Sequence, residues 1–186
     1  MKHSLIIGGT GMLKEVSRQL AYEYNTISVV ARNSHKLYSL RIETMHLKGN
    51  LDPIQVDYTD YEKLRTEIDL SVERYGSISL VVSWIHSTAP EASSIIANLI
   101  NSQKEEFRFF DVLGSASADP SKENRLPDFA NLEFIKYRQI ILGFIYGEDN
   151  SRWLTDEEIS SGVLKAIEED TVRSVIGVTE PWDRRP

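Results

Sequence analysis

The sequence has 186 residues, 41% of them hydrophobic and 26% charged, which are values of an ordinary globular protein. The formal net charge is −7, which argues against a nucleic-acid partner because phosphate binding needs a basic surface. Cysteine is absent, which excludes disulfides and fits a reducing compartment. No apolar run reaches the ~20 residues that span a bilayer, and the first strand begins too early to leave room for a signal peptide. We expect a cytoplasmic protein with no membrane partner and a single domain over residues 1–186.

The first motif in the chain combines a strand, a glycine-rich turn and a helix. Leu5-Ile6-Ile7 is a short apolar run with two β-branched residues, which predicts a buried strand. Gly8-Gly9-Thr10-Gly11 follows, and apolar residues then recur at helical spacing at Leu13, Val16, Leu20 and Tyr24. Such a unit can hold a pyrophosphate on backbone N–H groups and the helix dipole. An ordinary strand-to-helix connection is the alternative interpretation.

Strands and helices then alternate along the chain. The pattern predicts strands over 27–31, 54–56, 78–83 and 107–113, and helices over 34–46, 60–74 and 91–103. Asn33 or Ser34 is the expected N-cap of the second helix, and Gly76 is expected to end the third. This alternation indicates an α/β fold with a doubly wound parallel sheet. The expected strand order is 3-2-1-4-5-6, with a last strand added at the edge.

The regular alternation of strands and helices ends after residue 117. Residues 119–131 hold two prolines and many polar residues, which predicts a surface loop. Residues 132–146 are β-rich, and we expect an edge hairpin leading into a sixth strand over 138–146. Thr155-Asp-Glu-Glu158 is a capping box that opens a helix. A last short strand is expected over 172–178, followed by a polar tail over 181–186.

The order of these pieces resembles the short-chain dehydrogenase/reductase family over most of the chain. Gly8-Gly9-Thr10-Gly11 is similar to that family's nucleotide-binding turn, and Asp57-Tyr58-Thr59-Asp60 is similar to the acidic motif whose aspartate meets the adenine. Ser83 and Trp84 stand where the family's fourth strand carries an Asn-Asn-Ala-Gly-like segment. Ser115 stands where its fifth strand delivers the catalytic serine. The resemblance implies a Rossmann-like fold, a nicotinamide dinucleotide cofactor and oxidoreductase activity.

Three departures from the family pattern weaken the expectation of activity. Leu13 or Lys14 replaces the third glycine of the fingerprint, which normally allows close packing of helix and strand. No tyrosine is followed four residues later by a lysine, so the family's Tyr-x-x-x-Lys pair is absent. The chain is also short, and residues 119–146 replace the helix that should carry the pair. We therefore expect an atypical member with weak or absent turnover.

The candidate cofactor residues follow the first four strands. Arg32 lies just past the second strand, where an NAD enzyme would place an acid for the ribose 2′-hydroxyl, and an arginine suits a 2′-phosphate. NADP is therefore the expected cofactor. A solvated or glutamate-paired Arg32, and Asp57 as a helix cap, are the alternatives. The full set of predicted cofactor-binding residues is Gly8, Gly9, Thr10, Gly11, Met12, Arg32, Asn33, Ser34, Asp57, Tyr58 and Ser83.

Three residues are candidates for catalysis. Ser115 or His86 would polarise a substrate carbonyl, and His86 is the histidine best placed for proton transfer. Tyr137 is the nearest substitute for the missing tyrosine, although its neighbours predict an extended segment. The alternatives are a structural or solvated His86 and a plain loop at Ser115. The four histidines show no metal-ligand spacing, so no metal is expected.

Several functions remain compatible with the sequence. The first is an NADP(H)-binding protein, similar to short-chain dehydrogenases, that acts as an atypical NADPH-dependent oxidoreductase on an unknown carbonyl substrate. The second is a non-catalytic dinucleotide-binding sensor or interaction module that has lost its active site. A Rossmann-like fold that binds no dinucleotide is a third. The expected partners are the dinucleotide or a small-molecule substrate, and self-association into a homo-oligomer stays open.

Overall fold

The structure is a computed structural model that describes residues 2–121, 125–147 and 150–186. Its helices are α1 (Lys14–Glu23), α2 (Ser34–Thr44), α3 (Tyr61–Tyr75), α4 (Ala92–Asn101) and α5 (Asp156–Glu169). Its strands are β1 (His3–Ile7), β2 (Thr26–Ala31), β3 (Asn50–Gln55), β4 (Ile78–Trp84), β5 (Phe107–Gly114), β6 (Ile135–Leu142), β7 (Phe144–Tyr146), β8 (Ser151–Trp153) and β9 (Arg173–Ile176). In the described part of the chain, no helix has both the length and the apolar character of a membrane span.

One parallel sheet organises the molecule. Its seven strands lie in the order β3-β2-β1-β4-β5-β6-β9, and every neighbouring pair is parallel. In the central pair, Leu5 lies opposite Val81 and Ile7 lies opposite Ser83. The predicted doubly wound arrangement and its strand order are confirmed, including the last strand at the edge.

Helices cover both faces of this sheet. One apolar core joins α1, α2 and α5 to the sheet, with Leu20, Leu40 and Val163 fully buried. The other core joins α3 and α4 to the opposite face through residues such as Leu64 and Ile96. Strands covered on both sides read as near-continuous apolar runs, which is why β1 and β4 are recognisable in the sequence.

Local capping signals set the ends of the helices. The Asn33 side chain accepts a hydrogen bond from the backbone N–H of Lys36, so Asn33 rather than Ser34 is the N-cap of α2. Asp60 caps α3 in the same way, and Gly76 ends that helix with φ of +84°. The capping box of Thr155 and Glu158 opens α5 as predicted.

Two strands differ from the sequence prediction. β3 begins at Asn50, before the apolar run, and includes Pro53, which is tolerated because β3 is an edge strand. β6 begins at Ile135 and stops before Gly143, where a side chain would collide with the carbonyl oxygen of Val178. The antiparallel hairpin of β7 and β8 therefore follows β6 instead of preceding it.

The segment between β5 and β6 is irregular, as the prolines predict. Two 3₁₀-helices lie in it, Ser115–Ala118 and Asp128–Asn131. Residues 122–124 of the predicted loop lie outside the described residues. The helix that would carry the Tyr-x-x-x-Lys pair has no counterpart in the described part of this segment.

Candidate functional site

A cleft of about 350 Å³ opens at the carboxyl ends of β1, β2 and β4. In parallel sheets of this kind, ligands bind at the carboxyl ends of the strands near the reversal of strand order. Here that reversal lies between β1 and β4. The residues that line the cleft are Gly8, Thr10, Gly11, Met12, Val30, Ala31, Arg32, Asn33, Lys36, Tyr58, Trp84 and His86.

The glycine-rich turn forms the floor of the cleft, and two of its glycines are required by the geometry. Gly8 has φ of +78°, and a Cβ there would lie 3.0 Å from the carbonyl oxygen of Trp84. A Cβ on Gly9 would lie 2.5 Å from Ser17 Oγ and 2.9 Å from Val29 Cγ1. Gly9 therefore permits the close approach of helix and strand that the fingerprint's third glycine normally provides, and it lies beneath the cleft.

The N-terminus of α1 is suited to an anion. Its N-cap residue, Leu13, makes no side-chain hydrogen bond, so no side chain caps the first turn of the helix. A Cβ on Gly11 would meet no atom within 4 Å, so a ligand can approach the backbone there. The N–H of Lys14 already donates to the carbonyl oxygen of Gly11 at 2.8 Å, so the positive end of the helix dipole is the feature that favours a phosphate here.

Two cationic side chains also line the cleft. Arg32 and Lys36 both line it, on either side of the α2 cap residue Asn33. Arg32 Nη1 lies 3.7 Å from Asp57 Oδ2, but the arginine side chain is 68% exposed, so this pair is weak. Lys36 forms no ion pair with the residues that the structure describes. Lys14, in contrast, donates to Glu43 Oε1 at 2.8 Å and lies outside the cleft.

Hydrogen bonds within a local turn stabilise the carboxylate form of Asp57. Its Oδ1 accepts hydrogen bonds from the backbone N–H and the hydroxyl of Thr59, at 3.0 and 2.9 Å. These two bonds, helped by Arg32, hold the pKa of Asp57 below its ordinary value. Asp60 caps α3, so the alternative role of Asp57 as that cap is excluded.

Trp84 and His86 line the cleft on the β4 side. Their rings pack edge to face, with centroids 5.3 Å apart. His86 is exposed, which gives its ring access to a bound molecule. The structure therefore brings one predicted catalytic residue to the cleft.

The remaining predicted residues do not line the cleft. Ser34 is exposed on the first turn of α2, and Ser83 is fully buried one residue before Trp84. Ser115 begins a 3₁₀-helix and is 8% exposed. Gly9, Asp57 and Tyr137 do not line the cleft either.

Tyr137 is held inside the protein. Its ring stacks on Phe109 and contacts Phe129 edge to face, and its hydroxyl donates to Asp111 Oδ2 at 2.9 Å. Burial raises the pKa of Tyr137 above its ordinary value, and the negative charge of Asp111 adds to the rise. In this state Tyr137 is a poor proton donor, because its hydroxyl proton is already engaged.

Lys36 and Trp84 line the cleft, but the sequence analysis did not predict them as ligand contacts. Lys36 had a readable signal, since side chains of a helix's first turn lean toward its N-terminus, where Arg32 lies. Trp84 had only its position at the end of a strong strand. Metal ligands were not predicted, and the described residues contain no group of three histidine, aspartate or glutamate side chains that could hold a metal ion.

The fold is shared with solved oxidoreductases of low sequence identity. A short-chain dehydrogenase/reductase from Mycobacterium marinum matches with a TM-score of 0.72 and 16% identity, covering 95% of this chain and 93% of its own. A β-ketoacyl-[ACP] reductase from Bacteroides thetaiotaomicron matches with a TM-score of 0.70 and 15% identity, covering 96% and 98%. An NAD⁺-bound xylitol dehydrogenase matches with a TM-score of 0.72 and 13% identity, covering 94% and 97%.

These matches define the class of fold. The chain has the fold of the short-chain dehydrogenases/reductases, as the resemblance of its motifs implied. No protein-family model matches the sequence, and no curated protein matches it. At identities of 13–16% the likeness concerns the fold, and the site has to be argued from this chain's own residues.

Proposed function

We propose that the protein binds NADP(H) in the cleft and acts as an atypical NADPH-dependent oxidoreductase on a carbonyl substrate. The observation that carries the proposal is that one cleft holds two anion-binding features. Gly11, just before the uncapped N-terminus of α1, lines it, and so do Arg32, Asn33 and Lys36 after β2. A dinucleotide with a 2′-phosphate carries its phosphates at two separate places, which matches this arrangement.

The residues present fit such a cofactor. Gly11 presents no side chain to the cleft and has open space around its Cα, so a pyrophosphate can reach the backbone there. Arg32 can form a forked, charge-assisted pair with a 2′-phosphate, and Lys36 adds a second positive charge. When bound, the dinucleotide would supply the hydride that a carbonyl reduction requires. His86 would then orient or polarise the carbonyl oxygen at the β4 side.

Binding is tested by titrating the protein with NADPH and NADH while following tryptophan emission. Trp84 lines the cleft, so a bound nicotinamide should quench it, and the Trp84→Phe variant should lose most of that response. We expect NADPH to bind about ten- to a hundredfold more tightly than NADH, since charge-assisted hydrogen bonds contribute roughly 1.5–3 kcal/mol each.

Charge-reversal variants distinguish a specific contact with the cofactor from the long-range electrostatic effect of the protein's charge. Arg32→Glu and Lys36→Glu should each weaken NADPH binding and leave NADH binding nearly unchanged. Lys48→Glu makes the same charge change at an exposed position outside the cleft, and it should change neither affinity by more than about twofold. Equal affinities of the wild type for both cofactors would contradict the NADP proposal.

A non-catalytic dinucleotide-binding protein is the second candidate. The observation that favours it is the location of Ser115 and Tyr137, which are buried and do not line the cleft. A broad screen of aldehydes and ketones with NADPH distinguishes the two functions. Cofactor binding without oxidation of NADPH by any substrate would support the second candidate, and turnover reduced by His86→Gln would support the first.

A further inference from the structure

The β4 side of the cleft presents flat aromatic surfaces. Trp84 and His86 both line it, and their rings pack edge to face at 71° with centroids 5.3 Å apart. A Cβ built on Gly8 would lie 3.4 Å from Trp84 Cδ1, so the indole ring lies close to the backbone of the glycine-rich turn. Aromatic rings that line a cleft offer a planar ligand ring an offset or edge-to-face contact. This side of the cleft therefore favours a planar, conjugated molecule over a flexible aliphatic one.

Proton donors are scarce on this side of the cleft. Among the described lining residues there is no aspartate or glutamate. Tyr58 lines the cleft but follows β3, which lies three strands from β4, or ~14 Å at the usual strand spacing. His86 is the titratable lining residue that follows β4, and its ring forms no hydrogen bond with a described residue. No described group therefore orients the imidazole or returns a proton to it.

The groups that the family resemblance assigns to proton transfer are held elsewhere. The sequence has no tyrosine that is followed four residues later by a lysine. Tyr137 donates its hydroxyl proton to Asp111 Oδ2 at 2.9 Å inside the protein, and Ser115 is 8% exposed. Neither Tyr137 nor Ser115 lines the cleft. A carbonyl that is reduced here therefore has to accept a hydride without a paired acid beside it.

This condition distinguishes carbonyl substrates by the anion that each would leave. Hydride addition to an ordinary ketone gives an alkoxide, and an alcohol is about as weak an acid as water, whose pKa is roughly 15.7. Hydride addition to a quinone gives a hydroquinone monoanion, and a phenolic hydroxyl has a pKa of about 10. The alkoxide needs a proton from an acid as it forms, whereas the phenolate is stable enough to be protonated later by solvent.

We propose that the carbonyl substrate of the cleft is a quinone, bound against the Trp84–His86 pair. This inference rests on the proposed function, because the NADPH proposed above is the reductant. The quinone gains one hydrogen with its electron pair as a C–H bond of the dihydronicotinamide breaks and a new O–H bond forms. NADPH is oxidised to NADP⁺, the quinone ring becomes aromatic, and its second oxygen is left as a phenolate. That oxygen takes its proton from water, so the step needs no acid from the protein.

The first experiment measures binding and needs no turnover. Menadione is added to the NADP⁺-saturated protein in equilibrium dialysis, and the absence of cysteine leaves the quinone no thiol to alkylate. Trp84→Leu should lower the affinity about tenfold, and Trp84→Phe, which keeps an aromatic ring, should stay within about threefold of the wild type. Trp153→Leu, the same change at an exposed tryptophan outside the cleft, should keep the wild-type affinity. Equal affinities of Trp84→Leu and the wild type would overturn the inference.

The second experiment uses the wild-type protein alone, so it does not depend on the folding of a variant. NADPH oxidation is followed with menadione and with α-tetralone, a bicyclic aromatic ketone of similar size that carries one carbonyl, each against the rate without protein. We expect kcat/KM for menadione to exceed that for α-tetralone by about 10²–10⁴-fold, which is the usual contribution of a general acid or base. The rate with menadione should be the same in light and heavy water, because no exchangeable proton moves in the step.

The outcomes separate this inference from the proposed function. Reduction of α-tetralone as fast as menadione, or slower reduction of menadione in heavy water, would overturn the quinone assignment and leave the NADPH-dependent oxidoreductase in place. Binding of NADPH without its oxidation by menadione would overturn the assignment and favour the non-catalytic dinucleotide-binding protein. Failure to bind NADPH would reject the proposed function and the quinone reduction with it.

Discussion

The two edges of the central sheet, at the amino and at the carboxyl ends of its strands, differ in how their main polar groups are hydrogen-bonded. At the amino-terminal edge, His3, Ser28, Asp52 and Ser71 form a closed, buried network. His3 Nε2 lies 2.9 Å from Ser28 Oγ, and the other ring nitrogen lies 2.8 Å from the carbonyl oxygen of Gly76. Asp52 Oδ2 accepts from Ser71 at 2.8 Å and from Ser28 at 3.1 Å. Each of these groups has a partner inside the protein.

At the carboxyl-terminal edge, polar groups remain without partners. No side chain caps α1, Arg32 is only loosely paired, and Ser83 Oγ has no hydrogen bond within the described residues. A satisfied polar network stabilises a fold, whereas unsatisfied groups near a cleft are available to a ligand or a proton. Burial alone therefore does not identify a functional group. The useful question is whether its hydrogen-bonding capacity is already used.

The largest expected effect is on the pH dependence of stability. Asp111 has a folded pKa of about 7, above its ordinary value of 3.8, so it remains protonated in the folded protein at pH values where the unfolded chain has released the proton. Stability should therefore fall as pH rises from about 4 to 7. At ~1.36 kcal/mol per pKa unit the loss is roughly 4 kcal/mol at most. In urea titrations, the free energy of unfolding of Asp111→Asn should increase relative to that of the wild type as pH rises over this range.

The amino-terminal edge should respond to pH with the opposite sign. Burial lowers the pKa of His3 below its ordinary value of 6.5, against the hydrogen bond to Gly76 and the charge of Asp52. The unfolded chain binds a proton below pH 6.5 before the folded protein does, so stability is lost as pH falls. The stability of His3→Gln relative to the wild type should increase as pH falls below 6.5. The contrast between the two edges would be contradicted if the relative stabilities of Asp111→Asn and His3→Gln changed in the same direction with pH.

The closed network should also contribute strongly to the free energy of unfolding at constant pH. Asp52→Ala removes the acceptor of two buried hydroxyls, and we expect it to lower the free energy of unfolding by about 3 kcal/mol. NADPH affinity, measured below the temperature at which the variant unfolds, should stay within about twofold. Asp69→Ala, an exposed aspartate on the same helix as Ser71, should cost less than about 0.5 kcal/mol. A similar cost for both variants would show that the network does not stabilise the fold.

Gly8 and Gly11 of the turn should separate an effect on stability from an effect on binding. Gly8→Ala introduces a Cβ at positive φ and 3.0 Å from the Trp84 carbonyl, which should cost roughly 1–2 kcal/mol of stability. Gly11→Ala meets no atom of the protein, so its stability should stay near wild type. We expect Gly11→Ala to weaken NADPH binding about tenfold, because its methyl group occupies the path to the backbone. Full NADPH affinity in Gly11→Ala would place the phosphates elsewhere.

The smallest expected effect concerns the pair of Arg32 and Asp57. Asp57→Asn removes the negative charge 3.7 Å from the guanidinium, which leaves Arg32 more available to a phosphate. NADPH affinity should rise about two- to threefold and NADH affinity should hardly change, since exposed pairs contribute less than about 1 kcal/mol. Isothermal titration at low and at high salt checks this, because the gain should shrink as salt increases. A weaker NADPH complex in this variant would indicate that Asp57 itself contacts the cofactor.

Local sequence patterns were enough to predict the class of fold, the strand order and most of the helix ends. Alternating apolar runs and helical stripes are local patterns, and so are the cap at Asn33 and the stop at Gly76. The turn at Gly8–Gly11 and the cation at Arg32 were also readable, since a motif and its distance from a strand fix their place. These features depend on residues that are neighbours in the chain.

Contacts between polar residues that are distant in the chain could not be predicted, because they depend on packing. Strand pairing places Ser83, Asp111 and Gln139 side by side, and no local pattern records that register. The early start of β3 depended on its place at the sheet edge, and the end of β6 depended on the approach of Val178 to Gly143. Tyr137 was expected to be extended and is, but its partner Asp111 came from another strand. Caps and periodicity arise from bonds within one segment, whereas burial and pairing arise from packing between segments.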